Sequence, residues 1–184
     1  MSKITNIFLW SSMIVYVLLY TIFLVLIDLD RTTFGIISMS IILIPLIFLL
    51  LILLFLVKKD KSNNVKISKN KTMLITTISI VFPIICLFMM GLNEHRMQFT
   101  VEKWLTNSQD RSYMVEDFLN HYELVEMNKD EVINLLGRPS KVDDEGNISY
   151  FLGDEKGLIP IDDQMLVICF NNNKLVTGYE IITD

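Results

Sequence analysis

Three uninterrupted apolar blocks constrain this chain more than any other feature of its sequence. Each block runs for 20 residues or more without a charged side chain, and about 20 apolar residues in a helix cross the hydrocarbon core of a bilayer. The blocks cover residues 8–27, 35–57 and 73–92. They predict three transmembrane helices, which together make a membrane domain of residues 1–92.

Two details of these blocks agree with insertion in a membrane. Pro45 and Pro83 lie inside the second and third blocks, and a membrane helix tolerates proline because neighbouring groups satisfy the freed carbonyl. The first block is longer than the apolar core of a signal peptide, about 7–15 residues. No small-residue cleavage site follows it before Asp28, so we expect this block to remain as an anchor.

The lysines of the first half predict how the chain is oriented. Six of them lie between the second and third blocks: Lys58, Lys59, Lys61, Lys66, Lys69 and Lys71. Because loops rich in Lys and Arg stay in the cytoplasm, we expect a multi-pass plasma-membrane protein with a cytoplasmic N-terminus and an extracytoplasmic region from residue 93 onward. The same lysines also suit anionic lipid head groups, an alternative that the sequence leaves open.

Residues 93–184 have the mixed polarity of a globular domain and are strongly acidic. They carry 8 Lys/Arg and 18 Asp/Glu, a net charge of −10, whereas residues 1–92 carry 8 and 3, a net charge of +5. Affinity for nucleic acid begins with basic side chains that neutralise phosphates. An acidic domain repels such a ligand, and the sequence therefore predicts no nucleic-acid partner.

Helical patterns come first in this acidic region. One apolar stripe repeats at i, i+3, i+4 and i+7, the spacing of one helix face. Its members are Val115, Phe118, Leu119 and Tyr122. A further turn or two of helix is expected over residues 100–107, with Phe99, Val101 and Trp104 as its apolar contacts.

The clearest local signal is a short helix over residues 129–136. Asn128 is a typical N-cap, and Glu131 stands three residues later, where a capping box requires it. Gly137, followed by Pro139, is typical of a helix end.

After Pro139 the apolar period changes to two, which is the period of a strand. Alternating runs cover residues 148–152, 166–170 and 175–181, and residues 141–143 are a possible fourth strand. Segments 143–147 and 171–174 between them are rich in Asp, Asn and Gly, which favour tight turns. The order of helices and then strands predicts a small α+β two-layer domain, with helices packed on an antiparallel meander of three to four strands.

A family resemblance rests on residues 127–139, Met-Asn-Lys-Asp-Glu-Val-Ile-Asn-Leu-Leu-Gly-Arg-Pro. Together with an aromatic strand containing Gly153 and a last strand after an Asn-rich turn, this segment resembles the SmpA/OmlA (BamE-like) domain family. The resemblance covers about 60 residues, from Leu124 to the end. The family typically opens this helix with Gly-Met-Thr-Lys, whereas Glu126 and Asn128 replace the glycine and the threonine here.

The resemblance implies an extracytoplasmic α+β module that works by contact, often as an accessory of bacterial cell-envelope assembly. Its best-known members are lipoproteins of the machine that inserts outer-membrane proteins. This chain departs from them by having three apolar helices in place of a lipid anchor, which leaves open the machine that it would serve.

Residues 93–184 contain no sequence pattern typical of a catalytic site or a cofactor site. Their two histidines, His95 and His121, belong to no metal-binding or nucleophile motif, and we expect both at the surface. Three acidic pairs are candidate calcium ligands: Asp143/Asp144, Asp154/Glu155 and Asp162/Asp163. Because none has the alternating acidic pattern of a calcium loop, solvated turn residues are the favoured interpretation. The only cysteines are Cys86 and Cys169, and we expect Cys169 in a core.

These observations predict a membrane-anchored extracytoplasmic protein-interaction module, an accessory in cell-envelope assembly, and not an enzyme. The expected partners are the lipid bilayer and another envelope protein. Aromatic side chains exposed on the sheet are the candidate contacts, Tyr150 and Tyr179. Two alternatives remain open: a ligand-sensing regulator of a membrane or envelope protein, and a membrane enzyme whose polar residues the patterns do not identify.

Overall fold

The computed structural model describes residues 3–62, 69–154 and 162–183. Its contacts divide the chain into two compact units, residues 1–93 and 94–184. Each unit has an apolar core of its own.

The first unit consists of long helices. They are α1 (Lys3–Leu29), α2 (Ile36–Ser62) and α3 (Lys69–Met97). The residues of α3 after Asn93 belong to the second unit. Three stretches within them are long and apolar enough to cross a membrane: Ile7–Leu29, Ile36–Lys58 and Thr72–Met97. The three predicted helices are therefore present. They extend past the predicted ends because a helix continues into polar residues until a breaker or cap stops it, and they continue through Pro45 and Pro83.

Tyrosines of α1 join the three helices by buried hydrogen bonds. The Tyr16 hydroxyl donates to the carbonyl of Ser79 on α3 at 2.6 Å, and the Tyr20 hydroxyl donates to the carbonyl of Ile42 on α2. Both tyrosines are buried. Hydrogen bonds of this kind hold helices together where no water competes for the donor.

Asn93 ties the last part of α3 to the end of α1. Its buried amide donates to the carbonyls of Ile27 at 3.0 Å and Thr32 at 3.2 Å. Carbonyls in the last turn of a helix lack intrahelical partners, and Asn93 supplies a donor there. The polar residue that follows the third apolar block is thus a structural contact within this unit.

The second unit begins with short helices and ends with an antiparallel sheet. The helices are α4 (Val101–Thr106), α5 (Arg111–His121) and α6 (Lys129–Leu136), with a 3₁₀ turn at Ser108–Asp110 before α5. The strands are β1 (Lys141–Val142), β2 (Ile148–Asp154), β3 (Asp163–Phe170) and β4 (Val176–Thr183), paired in the order β1-β2-β3-β4. The predicted α+β arrangement and its meander are confirmed, including the short fourth strand.

Helices and sheet share one core. Buried side chains from α4, α5 and α6 pack against those of the strands in a single cluster. Its largest members are Trp104, Tyr150, Phe118, Met114 and Leu124. Two rings pack against Phe118 of α5: Phe99, from the link before α4, at 4.8 Å and Trp104 of α4 at 5.6 Å between ring centroids. Such aromatic contacts add to the stabilisation that comes from burying apolar area.

Polar side chains form the caps and turns as the sequence predicts. Asn128 and Glu131 make both bonds of a capping box, at 2.9 Å each. Asp143 accepts bonds from the backbone N–H groups of Glu145 and Asn147, which close the β1–β2 turn. The Asn171 side-chain oxygen accepts bonds from the backbone N–H groups of Asn173 and Leu175, which close the β3–β4 turn.

Candidate interaction surface

Tyr150, one of the two tyrosines predicted to be exposed, lies in the core instead. It is 0% exposed. The alternation of β2 predicts correctly that it shares a face with Ile148 and Leu152, but that face is the one the helices cover. The expectation that Tyr150 offers a partner an exposed ring is therefore wrong.

The Tyr150 hydroxyl instead holds the end of α6. It donates to the carbonyl of Gly137 at 2.9 Å, while the Trp104 indole N–H donates to the carbonyl of Leu136 at 3.1 Å. Two of the carbonyls that a helix leaves unpaired at its C-terminus thus find donors. Burial raises the pKa of Tyr150 to about 12.

Arg111 is a buried cation that the sequence patterns did not identify. Its Nε donates to the Trp104 carbonyl at 2.8 Å, and its Nη1 donates to the Phe151 carbonyl at 3.2 Å. The guanidinium carbon lies 4.9 Å from the centroid of the Trp104 ring, which is a cation–π distance. Burial lowers the pKa of Arg111. This side chain fastens α4 and α5 to β2, and it plays a structural part.

The apolar face of the sheet continues past the helices onto β4. Tyr179 pairs with Ile168, and Ile181 pairs with Leu166. Residues paired across antiparallel strands point to the same face, so Tyr179 and Ile181 lie on the core side. They are nevertheless 42% and 41% exposed. The expectation that Tyr179 is exposed is confirmed, and its role in binding stays a prediction.

The opposite face of the sheet also carries apolar side chains. Ile182 pairs with Met165 and is 39% exposed, and the next β3 residues on this face, Val167 and Cys169, are partly exposed. The prediction that Cys169 lies in the core is therefore wrong, because the register turns its side chain away from the helices. Ile182 makes β4 apolar on its second face as well.

The backbone of β4 is paired on one side only along most of its length. At its start, Val176 N–H donates to the Met127 carbonyl and the Val176 carbonyl accepts from Glu126 N–H. Beyond Val176, the described part of the chain places no strand next to the outer edge of β4. The other edge of the sheet is β1, which has only two residues and exposes Lys141. Short length and lysine are common ways of protecting an edge strand, and β4 has neither.

The ladder pattern indicates which β4 groups face outward. The Ser149 carbonyl accepts from Ser140 N–H on the β1 side. Backbone N–H and C=O groups alternate in direction along a strand, and two directly paired residues either bond to each other or both face away. Ser149 faces β1, so its partner Val167 faces β4. Val167 is paired with Glu180, whose N–H and C=O groups therefore face β3. The N–H and C=O groups of Tyr179 and Ile181 then point away from the sheet.

Acidic side chains surround this edge. Glu126 lies beside the start of β4, Glu180 lies within it, and Asp163 begins the adjacent strand next to its end. All three are exposed. Lys174, which precedes β4, is also exposed, so acidic residues outnumber basic ones at this edge, in keeping with the net charge of residues 93–184.

The remaining predicted polar residues form no second site in the described regions. His95 and His121 are exposed, and His121 Nδ1 lies 3.2 Å from Asp117 Oδ1. Asp143 is used by its turn, where hydrogen bonds from Asn147 lower its pKa. Residues 3–62, 69–154 and 162–183 contain no group of three or more possible metal ligands. Glu155, from the predicted acidic pairs, lies outside the described residues.

Comparison with known proteins adds no relative to this description. No family model, curated protein or solved structure matches the chain.

Proposed function

We propose that this protein is a membrane-anchored, extracytoplasmic protein-interaction module that serves as an accessory in cell-envelope assembly. The three apolar helices support the anchor. The lysines between the second and third blocks support a cytoplasmic position for that loop, and an odd number of crossings then leads the chain to the other side of the membrane.

The resemblance of residues 124–184 to the SmpA/OmlA (BamE-like) family supports the kind of activity. The capping box at Asn128 and the meander that follows α6 are the features of that resemblance which the structure describes. Members of the family work by contact, which agrees with a well-packed domain that leaves one edge of its sheet open.

The observation that carries the proposal is the apolar edge at β4. Three large apolar side chains of this strand are about 40% exposed, Tyr179 and Ile181 next to each other on the core side and Ile182 on the opposite face. Contiguous exposed apolar groups rimmed by polar residues are typical of interaction sites. Strands β2 and β3 bury their apolar side chains more completely.

Site-specific photo-crosslinking in living cells tests this function. The photoreactive residue p-benzoylphenylalanine replaces one exposed residue at a time, on β4, α4, α6 and the β3–β4 turn: Tyr179, Glu102, Asn134 and Asn172. We expect a light-dependent adduct with one envelope protein from at least one of these positions, and a reciprocal adduct when the photoreactive residue is moved to that partner. Adducts only with lipid, or none from any position, would contradict the proposed function.

A further inference from the structure

We propose that β4 is a strand-addition site whose ligand is an extended, basic peptide segment of the partner, bound antiparallel along residues 179–183. This inference rests on the proposed function and specifies its surface and its ligand. Strand addition uses main-chain hydrogen bonds for affinity and alternate side-chain contacts for specificity.

The main-chain part of the site is ready to pair. Tyr179 and Ile181 direct their N–H and C=O groups away from β3, as the ladder pattern shows. At Val176 the same edge already forms backbone hydrogen bonds with a neighbouring segment, because Val176 N–H donates to the Met127 carbonyl at 2.9 Å and Glu126 N–H donates to the Val176 carbonyl at 3.0 Å. A ligand strand would continue the pairing that residues 126–127 begin.

The side chains of β4 specify a ligand with two different faces. On the core side, Tyr179 and Ile181 extend the apolar surface formed by Ile168 and Leu166, so this side takes alternate apolar residues of the ligand. On the other side Glu180 is exposed and takes a lysine or arginine. Opposite charges paired across strands stabilise a sheet.

Charge also decides between the possible occupants of this edge. A second copy of the chain would bring another domain of the same charge, and antiparallel self-pairing that sets Tyr179 against Ile181 places Glu180 opposite itself, which destabilises a strand pair. Anionic lipid head groups would likewise be repelled by Glu126, Asp163 and Glu180. A basic peptide is attracted by the same residues.

A binding titration with defined peptides tests the proposal. The probe is a fluorophore-labelled peptide, Lys-Val-Lys-Val-Lys-Val-Lys, added to the full chain in nanodiscs of zwitterionic lipid. The controls are Glu-Val-Glu-Val-Glu-Val-Glu and a lysine peptide with its valine amides N-methylated. We expect the lysine peptide to bind at least about tenfold more tightly than either control. Hydrogen exchange at Tyr179 and Ile181 should slow when it binds.

Two variants separate strand addition from loose electrostatic attraction. Ile181→Pro removes an N–H group that points away from β3, so it breaks no hydrogen bond to β3. Edge strands tolerate proline at such positions. This variant should bind the lysine peptide about tenfold or more weakly than the parent chain. Glu180→Lys should lower the affinity for the lysine peptide and raise the affinity for the glutamate peptide. Glu102→Lys on α4 makes the same charge change away from β4 and should leave this preference unchanged.

Several results would overturn the proposal. Equal binding of the N-methylated peptide, or binding without slower exchange in β4, would show that no strand is added. Slower exchange caused by self-association, or by phosphatidylglycerol vesicles alone, would assign the edge to a second copy or to lipid. Photo-adducts with a partner from Asn134 but none from Tyr179 would overturn this inference and leave the proposed function standing.

Discussion

Gly153 shows how one residue is fixed by its surroundings. Its φ angle is +103°, a region that side chains rarely adopt, and a Cβ atom there would overlap the backbone carbonyl of Gln109. We predict that Gly153→Ala destabilises the second unit by more than the roughly 1–3 kcal/mol that an unfavourable φ angle costs by itself, since the 3₁₀ turn must also move. Thermal unfolding of the purified chain measures the loss.

Gly178→Ala is the matched control for that change. Gly178 lies in the same sheet, does not have a positive φ angle and has open space where a Cβ would be built. It should change the melting temperature little. Equal losses from the two variants would contradict the close approach of Gly153 to Gln109.

The buried hydroxyl of Tyr150 makes a second residue-scale prediction. Tyr150→Phe removes the bond to the Gly137 carbonyl and should cost about 1 kcal/mol of unfolding free energy, whereas Tyr179→Phe should cost nothing measurable. Burial raises the pKa of Tyr150 from 10.0 to about 12. The contribution of this tyrosine to the free energy of unfolding is therefore constant below pH 10 and is lost as the pH rises toward 12. Urea unfolding at pH 8 and at pH 11 tests this, and an identical pH dependence in Tyr150→Phe would contradict it.

The contrast between Tyr150 and Tyr179 shows what a sequence pattern can predict at this scale. Alternation places each tyrosine correctly in a strand, and the register puts both on the same face of the sheet. Their burial differs because β2 lies under the helices and β4 lies at the edge. Strand order and helix placement depend on tertiary packing, which a local period does not contain.

At the scale of elements, α6 depends on its capping box. We predict that Asn128→Ala costs about 1 kcal/mol of unfolding free energy, because it leaves the Glu131 N–H without its acceptor. Glu131→Ala removes the reciprocal bond, and the two changes should be non-additive because their partners form one unit. Chemical unfolding of both single variants and the double variant gives the coupling.

Asn134→Ala provides the control for this helix. It makes the same change of side chain at an exposed position within α6, where alanine has the higher helix propensity. Its stability should therefore equal or slightly exceed that of the parent chain. A loss as large as that of Asn128→Ala would show that α6 does not depend on its cap.

Elements with strong local signals were predicted well, and elements stabilised by tertiary contacts were not. The bounds of α6 follow from Asn128 and Gly137, whose roles are local. The 3₁₀ turn and the buried Arg111 were missed, because an arginine in a polar segment is normally solvated. Arg111 is buried here only because the Trp104 and Phe151 carbonyls accept its donors. The open edge at β4 likewise required the sheet order.

At the scale of the whole molecule, the account depends on two units of opposite character. One consists of three helices with an apolar exterior and the other is an acidic α+β domain. Apolar length alone predicts the first, because hydrophobic blocks of this size have few alternatives to a membrane. The proposed function requires that the second unit and the lysines between the second and third apolar blocks lie on opposite sides of the bilayer.

Cysteine accessibility in intact cells tests that requirement most directly. In a chain with Cys86→Ser and Cys169→Ser, single cysteines are introduced as Asn172→Cys in the exposed β3–β4 turn and Asn63→Cys between the second and third apolar blocks. Both are treated with a membrane-impermeant maleimide before and after permeabilisation. We expect Asn172→Cys to be labelled in intact cells and Asn63→Cys only after permeabilisation. The reverse pattern would place the acidic domain in the cytoplasm and contradict the account.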